Sequence, residues 1–403
     1  MPWIIDGITA GTALLIIIGL LFALTAIYAA VSIILDALGR TQKSVVRPPG
    51  TRPSITALIA AKDEAGVLPS TLQRLVALPY PADKLRILVA VDEGDLATAG
   101  ACAPFADRVR VIVTHSRSGK PGVLNEIFPK IDTELTLLLD ADSFLAPDAL
   151  ACMVPLIIED GYSAVSLQGY PLNEGEGIFP RFFKLECRIQ AALNHSRNKP
   201  GAFAYTPGFG TLILTEEVRR VSGWDENCLS EDSDLALRLF ANGGRIAPSE
   251  ALVGMEAPAT ISGYFRQRLR WYRGMLDIIR KRRNIIYNLT FLQATDVTIQ
   301  FLSPAFVALF LPFFIGTLFL KGFALSLLAA IICIVLTASL VIRGQFSITG
   351  RILNVLLIIP FLLLNSAICI VVVTTFLLNK RLPWVRTEKS HFQLRNEQDQ
   401  EGK

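Results

Sequence analysis

The sequence predicts an α/β domain with a mostly parallel sheet and flanking helices, carried by α-helical transmembrane segments. Three observations lead there. From Pro53 to about Arg283, short apolar strand-like runs alternate with stretches of helical spacing, the pattern of βαβ units. Acidic residues follow three of those runs, on what would be one rim of a parallel sheet, where ligands bind. Both ends of the chain turn apolar, so that 403 residues are 52% hydrophobic and only 18% charged, too apolar for an ordinary soluble enzyme.

The amino-terminal run comes first. Ala13 to Leu35 contains no charged residue and is long enough to cross a bilayer. It has no basic leader and no clear cleavage site, so it reads as an uncleaved anchor rather than a signal peptide. No Lys or Arg precedes Arg40, whereas Arg40, Lys43, Arg47 and Arg52 follow, which places the next domain in the cytoplasm. Residues 1–40 are the expected anchor and 41–52, with Arg47-Pro48-Pro49-Gly50, a linker.

Residues 53–283 are the expected cytosolic domain. Ile55–Ala60 reads as a strand, followed by the polar turn Lys62-Asp63-Glu64-Ala65-Gly66 and a helix over Leu68–Ala77. Leu85–Val91 is a second strand, ending in Asp92-Glu93, and Val109–Val113 a third. Thr136–Leu139 is a fourth and runs into Asp140-Ala141-Asp142. Alternation puts Asp140 and Asp142 on one side of the strand end. Two carboxylates that close repel unless a cation or strong donors sit beside them. Oxygen ligands suit Mg²⁺ or Mn²⁺, which take one or two carboxylates plus substrate phosphates. The pair therefore reads as a metal–diphosphate site, against an ordinary solvated strand end.

Further motifs follow in order. Asp92-Glu93-Gly94-Asp95 could hydrogen-bond a nucleoside or be a solvated turn. Ser118-Gly119-Lys120-Pro121-Gly122 puts a lysine in a glycine-rich turn at a helix start, which favours phosphate, although the P-loop pattern is absent. Phe209-Gly210-Thr211 allows a ligand close to the backbone or makes a tight bend. Leu229-Ser230-Glu231-Asp232-Ser233-Asp234 opens a helix. Its acids are either dipole partners with Ser230 as cap, or they include a carboxylate base. Arg266-Gln267-Arg268-Leu269-Arg270-Trp271, read as a helix, sets Gln267, Arg270 and Trp271 on one face. Trp offers a ring for a sugar and Arg a fork for diphosphate oxygens. The plainer reading is a basic flank at the lipid headgroups, together with Arg280 to Arg283.

Residues 284–297 are expected to be an interfacial amphipathic segment, with a helix over Ile285–Phe291. Residues 298–379 carry about three transmembrane helices, Phe301–Leu320, Phe323–Ile342 and Ile352–Leu378, with no Asp, Glu, Lys or Arg inside, which weighs against a transporter. Lys380, Arg381, Arg386 and Lys389 in the polar tail, 380–403, prefer the cytoplasm and set up a conflict with four spans. Either the proline-containing 301–320 segment is re-entrant or interfacial, or the charge rule is overridden; four full spans are the adopted expectation. A net charge of +4 does not argue for nucleic acid. Six scattered cysteines without a CxxC pair suggest neither zinc nor a disulfide framework, and three separated histidines argue against a His-metal site.

Taken in order, Asp92, Asp140-Ala141-Asp142, Ser230-Glu231-Asp232 and Gln267-Arg268-Leu269-Arg270-Trp271 resemble the membrane-embedded family 2 glycosyltransferases, such as cellulose, chitin, hyaluronan and mannan synthases. Leu78-Pro79-Tyr80-Pro81, Gly119-Lys120 with Leu124-Asn125, Gly223-Trp224-Asp225 and Glu256-Ala257-Pro258 agree with it. The resemblance covers about Pro53 to Gly274. It implies a GT-A fold, a nucleotide-sugar donor and inversion at the anomeric carbon. On the donor side it implies Asp92, Glu64, Lys120, Asp140 and Arg270; on the acceptor side Trp271, Gln267, Gly210 and Glu231. It implies Asp142 with Asp140 as ligands of Mg²⁺ or Mn²⁺, and Asp232 as the general base. Two positions depart from the pattern: Asp92-Glu93 replaces the usual Asp-Asp, and Ser230 the usual Thr.

The expected function is a hexosyltransferase at the plasma membrane, multi-pass with a cytoplasmic catalytic domain, that extends a β-linked glycan. The alternative is a non-processive enzyme adding one sugar to a diacylglycerol or polyprenyl phosphate. Expected partners are a UDP- or GDP-sugar donor, a glycan or lipid acceptor and membrane lipids, with a homo-oligomer left open and no nucleic acid.

Overall fold

Eight apolar runs pair into one sheet: β1 (Ile55–Ala61), β2 (Leu85–Asp92), β3 (Val109–Thr114), β4 (Leu135–Asp140), β5 (Phe144–Leu145), β6 (Ala164–Pro171), β7 (Thr211–Leu214) and β8 (Ile246–Met255). Their order across the sheet is β3-β2-β1-β4-β7-β6-β8-β5. The computed structural model describes residues 50–116, 118–197, 202–319 and 348–380. The expected anchor, nearly all of the linker, the Phe323–Ile342 segment and the tail from 381 lie outside the described residues. The chain forms two compact units that part between Gly263 and Tyr264.

The first unit holds the sheet. β1 pairs in parallel with β2 and β4, β2 with β3, and β6 with β8. Against the expectation of a mostly parallel arrangement, the sheet is mixed. β7 enters antiparallel between β4 and β6, and β5 runs antiparallel to β8. A strand buried on both faces reads as a plain apolar run whatever its direction, so Thr-Leu-Ile-Leu carries no sign of its polarity. The core alternates along β1 (Ile55, Ala57, Ile59) and β4 (Leu135, Leu137, Leu139). Helix α1 (Leu68–Val76) covers it with Leu68, Leu72 and Leu75 at helical spacing. Helices α2 (Leu96–Ala101), α3 (Gly119–Ile127), α4 (Ala149–Ile158), α5 (Ile178–Ser196), α6 (Thr215–Arg220) and α7 (Glu231–Ala241) complete the unit.

The second unit is helical. Helix α8 (Ile261–Lys281) leads into it, followed by α9 (Arg283–Tyr287), α10 (Phe291–Ala308), α11 (Phe310–Phe319) and α12 (Ile348–Leu377). The expected Ile285–Phe291 helix is divided. α9 stops at Tyr287, and Thr290 starts α10 through a capping box with Gln293. The expected Phe301–Leu320 helix is likewise interrupted at Leu309. Pro312 has no N–H to give the Ala308 carbonyl. Ser366 of α12 fills the gap: its Oγ donates to Ala308 O (3.1 Å) and accepts from Leu311 N–H (2.9 Å). Among the described residues one stretch, Leu356–Leu377, is long and apolar enough to cross a membrane, by length and composition.

Candidate active site

Because β1, β2 and β4 are parallel neighbours, their carboxyl ends share one rim. Ala60 is in register with both Ala90 and Asp140, which puts Asp92 and Asp140 two strands apart on that rim. The strand ends at Asp140, and Ser143 N–H donates to Asp140 O (3.1 Å). Asp142 is therefore carried by a turn and not by the alternation expected of a longer strand. Asp92 pairs with Lys62. Asp95 caps α2 by accepting from Thr98 N–H (3.1 Å) and also accepts from Asp63 N–H (2.6 Å), a structural role. The Glu64 N–H donates to Thr98 Oγ1 (3.0 Å), which places Glu64, half-buried, in the loop ahead of α1.

Lys120 is the hub of the rim. It lies in the first turn of α3, which Gly119 enters at φ +69°. A Cβ on Gly122, one turn along, would stand 2.1 Å from Ser116 Oγ, so the turn closes on glycine alone. Lys120 Nζ donates to Asp140 Oδ1 (2.5 Å) and to Gly208 O (3.4 Å), and lies 3.8 Å from Glu231 Oε1. Gly208 N–H in turn donates to Asp232 Oδ2 (2.7 Å), and Ser233 N–H to Asp232 Oδ1 (2.7 Å). Three separate segments thus bring together Lys120, Asp140, Glu231 and Asp232, and Gly208 joins them from a fourth. Ser230 occupies the cap position of α7 without a side-chain capping bond.

The charges explain one another. Burial pushes the Glu231 carboxyl up to about 6, Lys120 pulling it down and Asp232 pushing it further up. Burial likewise raises Asp232 above the usual carboxylate range, against the two backbone N–H bonds and Lys120, which lower it. Burial disfavours the Lys120 ammonium, but Asp140 and then Glu231 override it and hold the group above the usual lysine range. Three carboxylates around one ammonium leave a negative excess. The donor set fits Mg²⁺ or Mn²⁺: Asp140 and Asp142 offer hard oxygens, and such ions complete their shell with substrate phosphates. Among the described residues no group of three or more His, Cys, Asp or Glu gathers as a metal nest.

The glycine that approaches the acids is Gly208, which sequence reasoning passed over in favour of Gly210. A Cβ on Gly208 would meet Asp232 Oδ2 at 3.2 Å and Lys120 Nζ at 3.3 Å. The space a Cβ on Gly210 would take is filled by Leu167 (3.0 Å) and Val253 (3.3 Å), so a side chain there would strain the packing. Asn125 was also missed as a support. Its side chain exchanges two bonds with the Trp224 backbone (2.8 and 2.9 Å), anchoring the loop before Glu231. Gly223, at φ +71°, makes room for it, since a Cβ would sit 2.5 Å from Asn125 Oδ1.

In the second unit α8 carries Gln267, Arg270 and Trp271 on one helix, as the spacing predicts. The unexpected member is Arg268, fully buried. Its guanidinium lies 4.3 Å from the Tyr264 ring and 4.5 Å from the Trp271 ring, and it bonds Gln267. Arg270 Nε is buried and makes no hydrogen bond among the described residues.

Comparison with known proteins agrees with these motifs. The family model described as glycosyltransferase like family 2 matches residues 53–274, more than half of the chain. The probable glycosyltransferase YdaM of Bacillus subtilis is 28% identical over 59% of this chain and 61% of that protein. The beta-monoglucosyldiacylglycerol synthase of Trichormus variabilis is 26% identical over 56% of this chain and 49% of that one. The poly-beta-1,6-N-acetyl-D-glucosamine synthase of Staphylococcus aureus is 24% identical over 56% and 55%. The chain thus spans between about half and three fifths of the length of these curated relatives. Among solved structures, the mannosyltransferase PcManGT from Pyrobaculum calidifontis, in complex with GDP-Man and Mn²⁺, aligns with a TM-score of 0.64 at 19% identity. That match covers 91% of this chain and 100% of that one and shows a shared GT-A-like fold.

Proposed function

The chain belongs to glycosyltransferase-like family 2, and from that membership we propose that it is an inverting, metal-dependent membrane glycosyltransferase using a nucleotide-sugar donor. The observation that carries the reading is the cluster of Lys120, Asp140, Glu231 and Asp232 at the open rim of the sheet. Asp92 and Glu64 are assigned to the nucleoside side of the donor, and Lys120, Asp140 and Arg270 to its diphosphate. Among the described residues the buried Nε of Arg270 makes no hydrogen bond, which supports an anionic ligand at that side chain. Gln267, Trp271, Gly210 and Glu231 are assigned to the acceptor, Gly210 through its backbone, since Leu167 and Val253 fill the space a side chain would take.

Asp232 is the general base. Two backbone N–H groups orient its carboxylate, and burial raises its proton affinity above the usual carboxylate range, which strengthens it as a base. It takes the proton of the acceptor hydroxyl. The hydroxyl oxygen bonds to the anomeric carbon as the carbon–phosphate-oxygen bond breaks on the opposite face, its electron pair leaving with the nucleoside diphosphate. Mg²⁺ or Mn²⁺, when held by Asp142 with Asp140, supplies positive charge for that leaving group.

Extension of a β-linked glycan at the cytoplasmic face of the plasma membrane is the primary reading. Transfer of a single sugar to a lipid is the second, since the chain is similar to a diacylglycerol glucosyltransferase as well as to a polymer synthase. The test is donor consumption by the membrane-reconstituted protein offered UDP-glucose, UDP-N-acetylglucosamine and GDP-mannose, in chelator and then with Mn²⁺ or Mg²⁺. One donor should be consumed, only with metal, and product size separates chain from single adduct. No consumption of any sugar nucleotide would defeat the proposal.

A further inference from the structure

The buried face of α12 repeats Phe361, Asn365, Ile368 and Val372 at helical spacing. One of these is an amide, placed within the stretch of α12 apolar enough to cross a membrane. A polar group in that setting must find its partners inside the protein. Asn365 Nδ2 donates to Phe361 O (2.8 Å) and to Tyr264 Oη (3.1 Å), and Asn365 Oδ1 accepts from Tyr272 Oη–H (2.7 Å). Both tyrosines belong to α8, and they bracket Arg268 and Trp271 in sequence. The Tyr264 ring lies against the Arg268 guanidinium, which lies against the Trp271 ring. A continuous run of contacts therefore leads from an amide in α12 to the tryptophan.

We propose that Asn365 is a positioning residue for acceptor binding, setting the rotation of α8 and the attitude of Trp271 through Tyr264 and Arg268. Apolar packing alone tolerates small rotations of one helix against another. An amide bonded to two phenols on the neighbouring helix tolerates far less, because both bonds are directional. One face of the Trp271 ring is already occupied by Arg268, so the ring's attitude decides what its other face offers a sugar. This inference rests on the acceptor role proposed for Trp271.

The experiment measures acceptor KM in the full-length, membrane-reconstituted protein, with octyl β-glucoside and a β-linked tetraglucoside as probe acceptors. Trp271→Ala is the reference and should raise KM. Tyr264→Phe, which keeps the ring under Arg268, should raise it about threefold, the scale of one interhelical hydrogen bond in a membrane, and Asn365→Leu, which keeps α12 apolar but gives up the bonds to both tyrosines, by up to about tenfold. The double variant should be no worse than Asn365→Leu alone. Lost structure lowers the active fraction and hence apparent kcat but leaves KM in place, so the KM shift separates positioning from folding. An unchanged KM in Tyr264→Phe, with Trp271→Ala raised, overturns the inference alone. An unchanged KM in Trp271→Ala, or no transfer to either probe by the unaltered protein, overturns the acceptor reading and this inference with it.

Discussion

The two units organise charge in opposite ways. At the sheet rim, carboxylates and a lysine from three segments are held by ion pairs and backbone N–H groups, and burial displaces their proton affinities. Along α8, a buried arginine is held by aromatic rings and supported by neutral hydroxyl and amide bonds to α12. The first arrangement responds to pH and to the loss of one charge. The second transmits shape. A site that moves a proton calls for the former, and a surface that holds a neutral sugar is better served by the latter.

The largest effect should come from the proposed base. Asp232→Asn should retain donor binding and lose transfer by at least about a hundredfold, the lower end for removing a general base. Near-normal turnover, measured with saturating donor, would end the assignment and with it the contrast between the units. Next, Gly208→Ala puts a methyl group 3.2 Å from Asp232 Oδ2 and 3.3 Å from Lys120 Nζ. A displacement of a few tenths of an ångström should cost about tenfold in kcat, less than the hundredfold of a 1 Å misplacement. Gly210→Ala instead strains the packing against Leu167 and Val253, so its effect should appear in thermal stability first.

The pH profile sharpens the contrast further. A base works deprotonated, so kcat/KM should fall as pH drops through the range, above the usual carboxylate value, to which burial raises Asp232. Lys120 lowers both carboxylates. Lys120→Met should therefore move that acid limb to higher pH, and a limb that stays in place or moves down contradicts the electrostatic account. The smallest effect belongs to the second unit. Ser366→Ala leaves Ala308 O and Leu311 N–H without their partner and should cost about 1 kcal/mol, read as a drop of a few degrees in the thermal midpoint with the pH profile untouched.

Much of this was legible in the residues. The strands β1 to β4, the acids at their ends, the helix under Gln267, Arg270 and Trp271, and the apolar helix α12 all follow from local periodicity, which a chain carries in its own order. The short strands β5 and β7 left no such trace, nor did the breaks at Tyr287 and Leu309, where a cap and a proline overrule hydropathy.

The sequence by itself determined which chemical groups are present and which face of each element they occupy, because side-chain direction repeats with the backbone period. Only the tertiary structure decided who meets whom. Lys120 reaches Asp140 across 20 positions and Gly208 across 88, and Gly208 holds Asp232 across 24. Tyr264 and Asn365 are 101 apart. Such pairings depend on loop paths and on the direction in which β7 enters the sheet, and those are settled by the packing of the whole chain rather than by any window of it.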